Sequence, residues 1–477
     1  MQFEMSTFIP VMPEIVMLVA ACVVLIVDLF LTERTRLVTY VLSLAALVIT
    51  GATIIATAGD PVVSFEGSFV RDAVADVMKM GILTVTGFAM VYAKDYLVQQ
   101  GIYRGEYYTL ALFSVLGMMI MSSAYNFITI YLGLELLALS MYALVAFNRD
   151  SMGGAEAAMK YFVLGALASG LLLYGISLFY GATGSLSFAE VSAAIVKGNI
   201  QEDILVFGLV FIIMGVGFKF GAVPFHMWVP DVYHGAPTAV TILLGSAPKI
   251  AAFALTLRLL VDGLAPLFTQ WQEMLMILAV ISLGIGNLVA IAQHNIKRML
   301  AYSTISHVGF IFLGFIAGTD DGYGAALFYT VVYALTAAGG FGVLAMISRR
   351  GFDAENLDDL KGLNERSGWL AAMMALILFS MAGVPPTVGF FAKWFVLESI
   401  IRVDLVWLAL VAVFFSVIGA FYYLRAIKTM YFDKPIDDQP LEISADSHVA
   451  MSINGVSMLV LGMFPTALYT VCRAAFG

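Results

Sequence analysis

Apolar positions come in runs long enough to cross a bilayer, and the runs recur from one end of the chain to the other. A transmembrane helix needs about 20 predominantly apolar residues. Such stretches stand near 11–30, 37–57, 73–93, 106–122, 125–147, 156–181, 203–233, 238–261, 271–293, 298–318, 323–348, 368–401, 403–430 and 448–473. Two of them, 203–233 and 368–401, are interrupted by glycine and proline. The pattern predicts an all-α polytopic membrane protein of about 14 transmembrane helices, two of them discontinuous. Two connections are longer than the rest. Residues 182–202 are expected to hold a short surface helix. Residues 351–367 carry Asp353, Glu355, Asp358, Asp359, Lys361, Glu365 and Arg366 and read as a solvated amphipathic segment.

Composition agrees. Of 477 residues, 61% are hydrophobic and only 12% charged, against about 25% charged in ordinary soluble domains. No polar stretch is long enough to fold as a soluble domain, and the net charge of −9 offers no basic face for nucleic acid. The first run lacks a basic segment before it and is followed by Arg34 and Arg36, so it reads as a retained helix, not a cleaved signal. Cys22 and Cys472 lie in apolar runs at opposite ends. With no C-x-x-C and no Cys/His cluster, they read as small buried hydrophobes rather than metal ligands. There is no P-loop, no G-x-G-x-x-G opening a helix beside an acidic partner, and no H-E-x-x-H.

Lys and Arg bias orients such a chain. Most of those outside the spans, among them Arg34, Arg36, Lys94, Arg104, Arg149, Lys297 and Lys361, fall at odd-to-even connections. Arg71, Lys197, Arg258, Arg402 and Arg473 fall on the other side. With an even number of helices this places both termini on the outer face; the expected setting is a bacterial inner (plasma) membrane, with both termini periplasmic.

Lys79, Lys160, Lys219, Lys249 and Lys393 remain, all within spans. A charge at the bilayer centre costs about 2.5–3.5 kcal/mol on insertion scales. Snorkelling to a helix end accounts for Lys79 and Lys160. It accounts poorly for Lys219, Lys249 and Lys393, which sit deep in their runs. Glu156 and Lys160, four apart, read as a surface pair. Glu135, in the middle of the fifth span, needs a cationic partner such as Lys219 to stay ionised. His226 follows the first interruption, and His307 lies in the tenth span with Ser303 one turn earlier on the same face. Each histidine is equally open to a bland reading, a core imidazole bonded to a carbonyl. Carboxylate, lysines and histidines together can also act as a proton relay.

The interruptions read Gly221-Ala-Val-Pro224 and Gly383-Val-Pro-Pro386, each near a lysine. Backbone freed at membrane depth is tolerated only when buried in protein or facing water, and paired Gly/Pro-broken spans point to an inverted-repeat transport fold. The expected organisation is three N-terminal helices (1–100), a five-helix repeat (106–262), an inverted five-helix repeat (271–431) and a C-terminal helix (448–473).

At these residues the chain resembles a known family. Pro224-Phe-His-Met-Trp-Val-Pro-Asp-Val-Tyr-His-Gly-Ala-Pro-Thr, Ala247-Pro248-Lys249, Lys297-Arg-Met-Leu-Ala-Tyr-Ser-Thr-Ile-Ser-His307 and Gly383-Val-Pro-Pro-Thr-Val-Gly-Phe-Phe-Ala-Lys393 are similar to the antiporter-like membrane subunits of proton-pumping NADH-quinone oxidoreductase, respiratory complex I. The resemblance implies that Glu135 and Lys219 form the pair of a first half-channel. Lys249 would be a central relay, and Lys393 would serve a second half-channel. His226 and His307 would lie on the axis joining them. It implies partners among the other membrane subunits, neighbouring antiporter-like subunits included. NADH, FMN, iron–sulfur clusters and quinone would bind those partners, with no cofactor in this chain. The rival readings are a subunit of a multi-subunit cation/proton antiporter and a scaffold that moves no protons.

Overall fold

The computed structural model describes residues 5–198, 201–436 and 439–477. Among these the chain is almost wholly helical. After a 3-10 turn come α1 (Met12–Asp28) and α2 (Leu37–Thr57), then a small antiparallel hairpin of β1 (Val62–Ser64) and β2 (Phe69–Arg71), pairing Val62 with Arg71. Then follow α3 (Ala73–Gln99), α4 (Glu106–Ser123), α5 (Phe127–Val145), α6 (Met152–Thr183) and α7 (Phe188–Val196). The short α7 is the surface helix expected within 182–202, held by the buried Phe188 and Val191.

The middle of the chain is more broken. α8 (Glu202–Phe220) stops at Gly221, and α9 (Trp228–Gly235), α10 (Thr238–Leu244) and α11 (Ala247–Thr256) follow in short pieces. Residues Leu257–Gly263 widen into a π-helix. Then come α12 (Phe268–Ile291), α13 (Ile296–Ile316), α14 (Asp320–Ile347), the one-turn α15 (Leu363–Arg366), α16 (Gly368–Ala382), α17 (Val388–Ile401), α18 (Val406–Phe432), α19 (Ala445–Met463) and α20 (Pro465–Ala474). Starts fall where a short polar side chain can take an orphan amide. Asp72 accepts from Ala75 N at 2.7 Å, Asn126 from Thr129 N at 2.7 Å, and Asn295 from Arg298 N at 2.9 Å.

Eleven helices among the described residues are long and apolar enough to cross a bilayer, twelve if α19 and α20, bent by 83°, count as one span. Length and apolarity alone stop short of fourteen. α4 opens on the polar Glu106-Tyr-Tyr-Thr109, and α16 and α17 have 15 and 14 residues. Burial sorts the helices into two sets. The α10–α11 segment, α13 and α14 are each 94% buried in their apolar windows, whereas α1 and α18 are 33% buried. The first set forms a protein-enclosed centre, and α1 and α18 lie at the periphery of the described residues.

The 351–367 segment is amphipathic, as expected, but its first acids are bonded to the helices rather than solvated. Asp353 is roofed onto the helices, accepting from Tyr96 at 2.7 Å, Thr238 at 2.9 Å and Ser348 at 2.9 Å. Glu355 meets Lys297 at 3.3 Å and His234 at 3.4 Å. Burial raises the Glu355 carboxyl, but these two partners outweigh it and hold the group below its ordinary value. Leu357, Leu360 and Leu363 are buried and face in, while Asp358 and Glu365 are exposed.

Candidate functional site

Two helices end in mid-protein, and both end the same way. α8 stops at Phe220, with Gly221 in the left-handed region (φ 76°); α16 stops at Ala382, with Gly383 likewise (φ 84°). This backbone favours glycine and leaves carbonyls of the last turn without helical partners. A lysine takes the terminal one in each case. Lys249, in the first turn of α11, donates to Phe220 O at 2.8 Å. Lys393, on α17, donates to Ala382 O at 2.8 Å and to Ser416 Oγ at 2.9 Å. A helix C-terminus carries partial negative charge, so an ammonium is favoured there. Lys249 is 1% exposed. Neither lysine has a carboxylate in ion-pair contact among the described residues, so each charge meets its carbonyl and a ring, Trp228 (5.7 Å from Lys249) or Phe310 (5.3 Å from Lys393), with Ser416 as a further acceptor for Lys393.

Lys219 sits in the last turn of α8, half-buried, 6.0 Å from the Phe218 ring, with no hydrogen bond or ion pair among the described residues. Glu135 on α5 is within electrostatic reach of it but not in contact. The carboxylate instead accepts a short hydrogen bond from Ser169 of α6. A cavity of about 20 Å³ between the helices is bounded by both Lys219 and Lys249, with Tyr161 and Trp228. That is room for about one water.

His307 on α13 is held from both ring nitrogens. Nδ1 meets Tyr329 OH at 2.6 Å and Nε2 meets Tyr423 OH at 3.0 Å. Ser303, one turn back, also bonds Tyr423, so the shared face read from the sequence converges on one hydroxyl. Beside it Tyr333 donates to Thr304 at 2.7 Å and lies 3.4 Å from Gly245 O, which links α14 to the α10–α11 junction. A second cavity, about 10 Å³, touches His307, Tyr329, Tyr333 and Ser380. His226 follows the first break, half-buried, its ring 6.4 Å from that of Tyr302. The site residues thus fall into two clusters, Glu135 with Lys219 and Lys249, and His307 with Lys393. Tyr333, Thr304 and Gly245 lie between them, and His226 stands at the edge.

Two cations, Lys79 and Arg258, sit differently from the expectation, and Lys160 sits as expected. Lys79 does not snorkel: it is fully buried, 2.5 Å from Glu14 of α1, which is 5% exposed. Lys160 is exposed, and it pairs with Glu156 at 2.9 Å as expected and with Asp231 at 2.8 Å, which also binds Arg298 at 2.7 Å. Arg258, expected at a helix end, is buried between Asp72 and Asp262, each at 2.8 Å, with Ser122 O as a further acceptor. The π-helix turns it inward. The tyrosines around His307 were not singled out from the sequence; aromatic residues in apolar spans carry no spacing that marks them.

Residues 124–419 match a sequence family described as NADH:quinone oxidoreductase/Mrp antiporter, TM. The chain is 57% identical over 477 residues to NADH-quinone oxidoreductase subunit N of Thioalkalivibrio sulfidiphilus, covering 100% of this chain and 99% of that protein. It is 55% identical to the protein of the same name from Alkalilimnicola ehrlichii, covering 100% and 98%. Among solved structures it superposes on a chain of respiratory complex I from Thermus thermophilus with a TM-score of 0.82 at 30% identity, covering 96% and 98%. A chain of the Mrp complex from Dietzia sp. shares the fold, with a TM-score of 0.86 at 20% identity over 99% and 97%.

Proposed function

The chain belongs to the family of NADH-quinone oxidoreductase subunit N, and on that footing we propose that it translocates protons as a membrane subunit of a bacterial respiratory complex of this kind. The single observation that carries the mechanism is the repeated device of a buried lysine on the last carbonyl of a broken helix. A lysine at such a point can change protonation state, while the carbonyl keeps its amine in place either way: donating as ammonium, still donating as amine. Identity of 57% to subunit N against 20% to an Mrp chain favours this reading over a cation antiporter.

In the proposed sequence a proton enters from the cytoplasm near Lys219, whose charge is balanced at a distance by Glu135. It passes to Lys249 across the intervening cavity. Tyr333, Thr304 and His307 carry it toward Lys393, and His226 joins the same hydrated axis. Release is to the outside. The proposal further counts α4, the broken α16–α17 and the bent α19–α20 as spans, which makes fourteen. It divides the chain into 1–100, two inverted repeats at 106–262 and 271–431, and 448–473. Support for the repeat is the matched pair of breaks, Gly221 and Gly383, each with its lysine. Both termini are placed outside. Binding of NADH, FMN, iron–sulfur clusters and quinone is assigned to partner subunits.

Lys393→Arg tests the central claim. It keeps the charge, but arginine, with a pKa above about 12, does not release its proton. The variant is expected to assemble on a native gel and to keep electron transfer from NADH to an artificial acceptor. Proton uptake into inverted vesicles and the quinone reduction coupled to it should be impaired. Full uptake would mean that Lys393 need not change protonation state.

A further inference from the structure

The second break is gripped from behind by the C-terminal helices. Gly462, in the last turn of α19, lies so close to the break that a Cβ there would stand 1.9 Å from Pro386 O and 2.7 Å from Val388 N. On the other side, a Cβ on Gly389 would stand 1.8 Å from Ser380 O of α16. The first turn of α17 is therefore wedged tightly between α16 and α19, where Gly389 N also donates to the Ser380 hydroxyl at 3.1 Å. Lys393 is one turn beyond Gly389 on the same helix.

The middle and the far end of α17 are also held. After the 83° bend, α20 lays Tyr469 flat on Phe395 of α17, ring centroids 3.9 Å apart, with Phe328 of α14 edge-on to Tyr469 at 5.8 Å. Arg473 reaches Asp321 at 2.5 Å, and Asp321 meets Arg402 at the end of α17 at 3.3 Å. Both arginines are more than half exposed, so these ion pairs contribute little. Backbone contact at Gly462 and ring stacking at Tyr469 are the stronger grips.

We propose that the bent α19–α20 pair is a positioning element for Lys393, acting through Gly462 at the break and Tyr469 on α17. Neither residue touches the lysine. They set where the helix that carries Lys393 stands relative to the carbonyl of Ala382. Small displacements matter here, since a shift of about 1 Å takes a hydrogen bond from made to broken. The groups facing Lys393 are Ala382 O on α16, Ser416 on α18, and Phe310 and His307 on α13, with Tyr329 and Tyr423 behind the histidine. The inference rests on the reading that Lys393 exchanges a proton.

The test uses Gly462→Ala, Tyr469→Ala and Tyr469→Phe in the whole complex, in inverted vesicles, with assembly checked on a native gel. Both alanine variants are expected to assemble and to pass electrons from NADH to an artificial acceptor at the normal rate. Proton uptake should fall by about tenfold, and its pH profile should shift. Tyr469→Phe, which keeps the stacked ring, should restore both. Gly462→Ala introduces a clash; if it does not assemble, Tyr469→Ala, which introduces none, decides. An assembled Tyr469→Ala complex with an unshifted pH profile overturns the proposal, and so does failure of both alanine variants to assemble, which would make the strap structural only. Lys393→Arg keeps the two ideas apart. Full uptake in that variant removes the premise; lost uptake there beside an unshifted profile in Tyr469→Ala removes the strap alone.

Discussion

Glu14 and Lys79 form a buried ion pair: they are 5% and 0% exposed, and among the described residues no other polar side chain bonds either group. Removing one member leaves the other charged and alone, a loss of about 3–5 kcal/mol, whereas replacing both with apolar groups of similar shape is near neutral. We expect Glu14→Gln or Lys79→Met alone to lower the thermal stability of the detergent-solubilised protein sharply. Glu14→Leu combined with Lys79→Met should recover most of it. A double variant as unstable as the sum of the singles would show that the two act separately. The pair was hidden in the sequence because 65 positions separate its members and α1 and α3 share no spacing. Lys219, Lys249 and Lys393 were visible, since each is a charge far from either end of an apolar run. What the run did not show was the acceptor. A backbone carbonyl has no letter of its own, so a lysine that binds one looks unpartnered until the helix is seen to stop there. Glu135 shows the opposite: a carboxylate near a lysine invited a direct pair, and its bonded partner is the serine hydroxyl of Ser169 on α6.

At the scale of elements, the breaks were the most legible feature, because glycine followed by proline inside an apolar run has one physical outcome: the hydrogen-bond ladder is interrupted. The bend between α19 and α20 was not, since Pro465 follows directly on Phe464 in a run that still reads as apolar. The hairpin of β1 and β2 is too short to leave a pattern. Breaks of this kind depend on single positions. At Gly221 the backbone is left-handed and a Cβ would meet Val229 Cγ2 at 2.4 Å. Gly221→Ala therefore combines strain at positive φ, about 1–2 kcal/mol, with a clash against the start of α9. It should lower thermal stability and displace Phe220 O from Lys249, cutting proton uptake. Gly170, in the middle of α6, has open space around its Cα. Gly170→Ala should be neutral or raise stability by up to about 1 kcal/mol. Equal tolerance of both substitutions would show that the first break is not held by its glycine.

The whole molecule has one property that no internal contact fixes, which is its direction in the membrane. Charge bias in the connections argues for it, and the structure refines the argument. Lys297 and Arg258 are buried and bonded within the protein, so neither belongs in the count of free surface cations. They come from opposite faces, and their removal leaves the bias in place. Arg34, Arg36, Arg104, Arg149 and Lys361 remain on one face, which the rule makes cytoplasmic. Two exposed sites report on the two faces. Asp358 lies in the 348–367 connection with its side chain 67% exposed, and Asp60 lies at the exposed start of the hairpin between α2 and α3. The native thiols interfere little, because Cys472 is buried and Cys22 can be replaced by alanine. In that background, Asp358→Cys should react with a membrane-impermeant maleimide in inverted vesicles and not in intact spheroplasts. Asp60→Cys should do the reverse. The opposite pattern at both sites would turn the map over, place the termini in the cytoplasm, and require the proton to enter where this reading has it leave. Labelling of both sites from one side would instead mean an odd number of crossings between residues 60 and 358 has been misjudged, and would count against the fourteen-span arrangement itself.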